Sequence, residues 1–169
     1  AADGQGALVS GTPYENNEGD TDGAASSTKF RYFQAIAFDA EDRLVLLVPD
    51  DSGYPAIRRV DKDGTAKTLM RAQSCGGINA GQPGSLCTAT QLIVKANGDF
   101  LVAEYGSYRG LYTYAQLRSY TPQGVSTAVA GLASAEGTDD GQGGSARFNN
   151  PGALAFNPSG SLYVRDNSN

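Results

Sequence analysis

The chain has 169 residues, a formal net charge of -5 and no histidine. This length suffices for one domain with a hydrophobic core. The negative balance gives no electrostatic attraction to nucleic acid or to an anionic membrane, and the lack of histidine removes the commonest acid–base catalyst and metal ligand near neutral pH. No stretch reaches the roughly 20 apolar residues that a membrane-spanning helix needs. We therefore expect neither a nucleic-acid partner nor a membrane span.

The first predicted element is a turn with a short apolar strand, Asp3-Gly4 followed by Leu8-Val9. A turn followed by an apolar segment recurs at intervals of about 60 residues. The later turns are Asp63-Gly64 and Gln123-Gly124. A fixed period of this kind indicates a repeat fold. Residue 1 is therefore predicted to lie inside a repeat, ahead of the last strand of one unit.

Each unit continues with a glycine- and aspartate-rich loop and two apolar strands. The loop 19–23 with Phe30 matches the loop 137–141 with Phe148 at identical internal spacing. The first strand of the three units is predicted at 35–39, 91–95 and 153–157. A turn separates it from the inner apolar strand, predicted at 44–48, 100–103 and 162–164.

A third strand is predicted at 56–60 and at 116–120, and a fourth follows each Asp-Gly or Gln-Gly turn. Four short strands per repeat without helical periodicity predict an all-β chain built from the blades of a β-propeller. We divide the single segment 1–169 into the last strand of a blade, two blades and the first half of another, at 1–11, 12–71, 72–131 and 132–169.

These motifs carry a family resemblance. The run from Asp140 to Pro151 reads Asp-Gly-x-Gly-x-x-Ala-Arg-Phe-x-x-Pro, and Leu-Ala-Phe-x-x-x-Gly-x-Leu-Tyr-Val-x-Asp follows it. Together with Ile-Arg-Arg-Val at 57–60, this pattern resembles the NHL repeat. The resemblance implies a propeller fold. It implies no single function, because NHL proteins include scaffolds, RNA binders and propeller enzymes.

The predicted blades are too few for a closed ring, since propellers close with about four to eight. Three arrangements remain open. The chain is a piece of a longer propeller, two copies complete a six-bladed ring, or copies join head-to-tail without closing and form a fibre. The expected partners are accordingly other copies of the chain or the remainder of a longer propeller chain.

Two cysteines, Cys75 and Cys87, lie in a loop rich in glycine and proline. Two cysteines without histidine are a poor start for a zinc site, which needs about four ligands. We favour a disulfide over free thiols. A disulfide implies an oxidising compartment, so we expect a secreted or extracellular protein, with the periplasm as the alternative.

The acidic loops are candidate metal sites. Carboxylates alternating with glycine are able to surround Ca²⁺, which takes six to eight oxygen ligands. Aspartate and glycine also serve turns, and recurrence in two repeats favours that structural role. We expect no cofactor, with calcium as the alternative at Asp20, Asp22, Asp139 and Asp140, near Glu18 and Glu136.

The segment 104–114 is the best candidate for a ligand-binding surface. Its tyrosines offer faces for stacking, and its charged groups offer directed hydrogen bonds to a sugar or peptide. The alternative is an extended strand pair, since tyrosine is a good strand former. The candidate residues are Glu104, Tyr105, Tyr108, Arg109, Tyr112 and Tyr114.

An acid closes each predicted inner strand, at Asp50, Glu104 and Asp166. Lactonase-type propellers hold a metal with such acids, but recurrence at one repeat position favours a structural cap. The NHL-like amidating lyases depend on histidine-bound zinc, and this chain has no histidine to hold it.

We predict a non-catalytic extracellular module, a binding scaffold for protein or carbohydrate that also assembles. The alternatives are a subunit polymerising head-to-tail into a fibre and part of a metal-dependent, lactonase- or lyase-like enzyme.

Overall fold

The computed structural model describes residues 8–11, 18–72, 86, 88–108, 112–133 and 135–169, with the backbone alone at 107–108 and 112–114. These residues form an all-β structure with one short 3-10 helix, Gly143–Ser145. The strands are β1 Ala35–Phe38, β2 Leu44–Pro49, β3 Pro55–Val60, β4 Ala66–Arg71, β5 Ala89–Val94, β6 Phe100–Tyr108, β7 Tyr112–Tyr120, β8 Ser126–Gly131, β9 Pro151–Phe156 and β10 Leu162–Asp166.

The strands pair in sequence order into three antiparallel sheets. The first blade is β1-β2-β3-β4, the second blade is β5-β6-β7-β8, and the half-blade is β9-β10. This confirms the prediction of an all-β chain of four-stranded antiparallel blades. The described residues do not form a closed propeller.

Sequence and sterics explain the blade edges and turns. The run Leu44–Pro49 is apolar on both faces of the strand, and its residues after Leu44 are buried. Gly64 turns the chain between β3 and β4 with a φ of +83°, which only glycine adopts without strain. A Cβ at this position would also lie 2.3 Å from the carbonyl oxygen of Val9, so residues 8–11 lie against this turn.

The three sheets pack face to face in chain order. We call the face of a blade that points to the preceding blade its leading face, and the opposite face its trailing face. The first strand of each sheet contacts the first strand of the next, β1 with β5 and β5 with β9, as expected for blades arranged around an axis. Val45 and Leu47 on the trailing face of the first blade share a buried core with Leu92 and Val102 of the second blade.

The second interface repeats this arrangement. Leu101 and Leu117 on the trailing face of the second blade pack against Leu154, Leu162 and Val164 on the leading face of the half-blade. These positions recur with the repeat. The burial of apolar area between sheets is therefore the main source of stability for each blade.

The leading face of the first blade has no blade against it among the described residues. Phe30 and the segment around Val9 cover part of it, and an open apolar hollow of about 210 Å³ remains beside Phe33, Ile36 and Leu44. We call this surface the open leading face. The strand sequence of this blade resembles that of the later repeats, whose leading faces are covered by the preceding blade.

No helix within the described ranges is long and apolar enough to cross a membrane.

Candidate functional site

A buried arginine joins the acidic loop of the first repeat to its blade. The side chain of Arg58 on β3 is fully buried. Its guanidinium donates to the carbonyl oxygens of Lys29 at 2.6 Å and Thr21 at 2.7 Å, and to Asp22 Oδ1 at 3.0 Å. It also lies 4.5 Å from the centroid of the Phe30 ring, a cation–π geometry. These hydrogen-bond acceptors and the Phe30 ring all come from residues 21–30, which precede β1.

Asp22 holds two strands at once. Besides Arg58, its carboxylate accepts hydrogen bonds from the backbone N–H of Thr68 at 2.8 Å and from its hydroxyl at 2.9 Å. Thr68 lies on β4. The first acidic loop is thus engaged in fastening the outer strands of its blade, which is the structural role that the sequence favoured.

Asp20 pairs with a different arginine. Its carboxylate accepts a hydrogen bond from Arg71 and a long one, 3.4 Å, from the backbone N–H of Asp51. Burial alone would raise the pKa of Asp20, but the hydrogen bond and charge of Arg71, with the bonds from Asp51, hold that pKa below its ordinary value. The ionised form of Asp20 is therefore favoured by the fold.

Asp139 and Asp140 belong to the half-blade, and both side chains are exposed. The two acidic loops serve different sheets, so their four aspartates are not one cluster. Among the described residues, no group of three or more histidine, cysteine, aspartate or glutamate side chains is arranged to hold a metal ion. Calcium binding stays a prediction that only a titration will test.

The tyrosine-rich segment is a hairpin extending past the other strands of its blade. The prediction ended β6 at 103 and began β7 at 116, whereas β6 and β7 pair continuously as far as Tyr108 and Tyr112. The flanking strands stop earlier, β5 opposite Glu104 and β8 opposite Gln116. The backbone is thus the extended strand pair weighed above, because tyrosine and threonine are good strand formers.

The candidate residues of this hairpin lie in different environments. Glu104 is only 1% exposed, and it accepts hydrogen bonds from Gln116 Nε2 and from the hydroxyl of Tyr120, each at 2.7 Å. It is a core residue here and does not reach the surface that a ligand would touch. Tyr105 is half-buried, and its N–H donates to the carbonyl oxygen of Thr88 at 3.0 Å.

The other members of the predicted ligand surface are placed by backbone only or lie outside the described residues. Tyr108 and Tyr112 are register partners, and Tyr114 is opposite Gly106. Arg109 lies outside the described residues, as do both members of the predicted disulfide, Cys75 and Cys87. The hairpin therefore stays a candidate site on its position at the tip of the blade.

The other two acids that close inner strands bind backbone N–H groups. Asp50 Oδ1 accepts from Ser52 and from Tyr54, each at 2.9 Å, and fixes the turn after β2. Both carboxylate oxygens of Asp166 accept from Asn149 N–H, at 3.0 and 2.9 Å. These are the capping roles that the sequence favoured, although each acid caps a different local structure.

Sequence reasoning missed a groove between the turns of the first and second blades. It has a volume of about 270 Å³, and Arg43, Phe100 and Pro122 are among its lining residues. Arg43 Nε donates to Asp39 at 2.7 Å. Burial would raise the pKa of Asp39, but hydrogen bonds from Arg43 and from the N–H of Glu41 lower it. No local motif announces this groove, because its walls come from different repeats.

The open leading face was signalled by the repeat alignment. Ile36, Leu92 and Leu154 occupy one repeat position in the first blade, the second blade and the half-blade. Their exposures are 57%, 1% and 8%. Among the described residues, the apolar side chain at this position is therefore covered in the two sheets that follow another blade and exposed in the first blade.

No known protein-family model matches the chain, and no curated protein is found to be similar to it.

Proposed function

We propose that the chain is a non-catalytic propeller module that works through assembly, with the open leading face as its docking surface. The single observation that carries this proposal is the exposure of Ile36, whose repeat equivalents Leu92 and Leu154 are both buried under a preceding blade. An apolar strand face without a neighbour favours association through the hydrophobic effect.

The partner surface that fits is the trailing face of another blade. The half-blade has such a face, with Tyr163 61% exposed and the alanines at 153 and 155 also exposed. Their equivalents in the first blade include Val45 and Ala35, which help to bury the leading face of the second blade. The two ends of the molecule thus correspond to the two sides of an interface that the chain already contains.

We infer that copies associate head-to-tail, the trailing face of one half-blade against the open leading face of the next copy. A heterologous contact closes into a ring if its rotation allows, and otherwise propagates as a fibre. Two copies would give the six-bladed ring, which is one of the three arrangements that the repeat count leaves open. A blade from the remainder of a longer chain would use the same surface, and such a chain would then be monomeric.

The compartment and the ligand belong to the same proposal. We place the protein outside the cell, because of the predicted disulfide between Cys75 and Cys87.

We propose the hairpin of β6 and β7 as the contact for a protein or carbohydrate ligand, because it projects past β5 and β8. Tyr108→Ala with Tyr112→Ala should abolish ligand capture and leave the folded state intact. Unchanged capture by this double variant would remove the hairpin from the proposal.

The docking proposal is tested by binding the chain to itself. One copy is immobilised and a second is passed over it in solution, with the response measured at several concentrations. We expect saturable binding that Ile36→Asp in both the immobilised and the free copy lowers at least tenfold, because each copy presents both an open leading face and a half-blade. The matched control is Val125→Asp, because Val125 is 52% exposed but lies in the turn between β7 and β8. Equal losses in both variants, or no binding by the unmodified chain, would contradict the proposal.

A further inference from the structure

The loop that binds Arg58 in the first blade has a counterpart in the half-blade. Its members are Asp22, the carbonyl oxygens of Thr21 and Lys29, and the Phe30 ring, and their repeat equivalents are Asp140, the carbonyl oxygens of Asp139 and Arg147, and the Phe148 ring. All four pairs are separated by the same number of residues. We call the second set the Asp140 site.

The two loops share their internal hydrogen bonds as well as their sequence. Lys29 N–H donates to the carbonyl oxygen of Thr21 at 3.2 Å, and Arg147 N–H donates to that of Asp139 at 2.9 Å. Both loops also share a second hydrogen bond. Ser145 N–H donates to the carbonyl oxygen of Gln142, and in the first loop Ser27 N–H donates to that of Ala24. The backbone that presents acceptors to Arg58 is therefore already formed around Asp140.

The Asp140 site differs in having no guanidinium. Within the residues that the structure describes, no donor reaches the Asp140 carboxylate, although Asp140 and Asp22 are both exposed residues. Arg58 is fully buried in the equivalent place. The second blade also has a buried arginine at the corresponding strand position, Arg118, which is 6% exposed. An arginine at this position of the third strand is thus a regular feature of the complete blades.

The strand beside the site has a free edge. β10 pairs with β9 on one side, and no described strand pairs with its other side. In the complete blades the arginine of the third strand lies opposite Leu46 or Val102 of the second strand. Val164 is the equivalent of these two residues on β10. A strand that pairs antiparallel with β10, with its arginine opposite Val164, brings the guanidinium to the Asp140 site.

We propose that the half-blade binds an extended peptide segment of the pattern apolar-Arg-x-apolar by adding it as a strand to β10. Main-chain hydrogen bonds to the free edge supply affinity, and the arginine bound by Asp140 and stacked on Phe148 sets the register. The second apolar residue lies opposite Leu162, as Val60 lies opposite Leu44 in the first blade. This goes beyond the proposed function, because docking at the open leading face does not require it.

The test uses a labelled peptide with the sequence of residues 54–62, which includes Ile57, Arg58 and Val60, and the anisotropy of its label. We expect saturable binding to the unmodified chain. Replacing the arginine at the Arg58 position of the peptide by alanine should weaken binding at least tenfold, and so should Asp140→Ala in the chain. Asp139→Ala is the matched control. It should leave binding unchanged, because position 139 contributes its backbone carbonyl.

Three results would overturn the inference: no saturable binding, equal binding of the arginine and alanine peptides, or equal binding to the chain with and without Asp140→Ala. Unchanged circular dichroism and melting temperature of Asp140→Ala would show that its loss of binding does not reflect unfolding. Ile36→Asp separates the two proposals, because it should abolish self-association and retain peptide binding.

Discussion

The leading faces of the first and second blades are built from similar strands in different surroundings. Ile36 and Phe38 in the first blade are 57% and 62% exposed, whereas Leu92 in the second is 1% exposed. The four-stranded sheets have the same strand order, so the difference lies in the neighbour and not in the sheet. Each blade has an apolar leading face and an apolar trailing face, and each face is buried only when a neighbouring blade packs against it.

The acidic loops of the first blade and the half-blade also have similar sequences in different surroundings, and here the difference is in the partners of their carboxylates. Asp22 binds Arg58 and the outer strand, while Asp140 has the same loop around it and no described donor. We therefore expect these equivalent residues to contribute unequally to stability. We pair each substitution at a residue whose contacts are made with a substitution at its repeat equivalent or at an exposed residue of the same type.

The largest effect is expected at the position shared by Leu92 and Ile36. Leu92→Ala removes a buried side chain from the interface between the blades and should cost about 4 kcal/mol, within the range for large-to-small changes in a core. Ile36→Ala should cost less than about 1 kcal/mol in the dissociated chain, because its side chain is mostly exposed. Urea denaturation at low protein concentration measures both. Similar losses would mean that the open leading face is already covered.

The next effect separates the two acidic loops. Asp22→Ala removes the carboxylate that accepts from the buried guanidinium of Arg58 and from Thr68, and should cost about 2 kcal/mol, within the range for a hydrogen bond to a charged group. Asp140→Ala should change stability by no more than about 0.5 kcal/mol, which is usual for an exposed site. The same denaturation series measures both. A large loss at Asp140 would show that its carboxylate already has a partner.

A smaller effect is expected from a buried tyrosine hydroxyl. Tyr120→Phe removes a donor to Glu104 inside the second blade and should cost about 1–2 kcal/mol, as for a buried acceptor that loses a partner. Tyr163→Phe is the control, since Tyr163 is 61% exposed on the half-blade. It should leave the melting temperature unchanged. Equal shifts in the two variants would contradict the role given to Glu104.

The smallest effect is the pH dependence that Asp20 gives to the first blade. Its pKa is lowered in the folded state, so its contribution to stability is present above the ordinary aspartate pKa of about 3.9 and is lost as the pH falls through the folded pKa. The melting temperature should therefore drop below about pH 4, and Asp20→Asn should flatten that drop. Thr138, the repeat equivalent in the half-blade, has no carboxylate. An identical slope in Asp20→Asn would refute the assignment.

The fold was predictable because its signals are local. Asp-Gly turns, short apolar strands and a fixed period are enough to define four-stranded blades. The length of the β6–β7 hairpin was not, since Glu104, Gly106 and Ser107 look like a loop in sequence and only the register with β7 makes them a strand.

The contacts that decide the role of each acid are less visible in sequence. Arg58 reaches Asp22 across 36 residues, and Tyr120 reaches Glu104 across 16. Aspartate in a glycine-rich loop is compatible with a metal ligand, a turn or an ion pair. The ion pair with Arg58 decides among these roles for Asp22. Arg58 lies on β3, so the pairing is known only from the folded sheet.

The most direct test of the open leading face is the native mass of the unmodified chain and of Ile36→Asp by light scattering, over a concentration series with and without reductant. We expect a mass that rises above 17.5 kDa with concentration, toward a discrete dimer if the ring closes and toward longer species if it does not. Ile36→Asp should stay at the mass of one chain. A folded, unmodified chain that stays monomeric at every concentration would contradict the claim that its two ends bind each other.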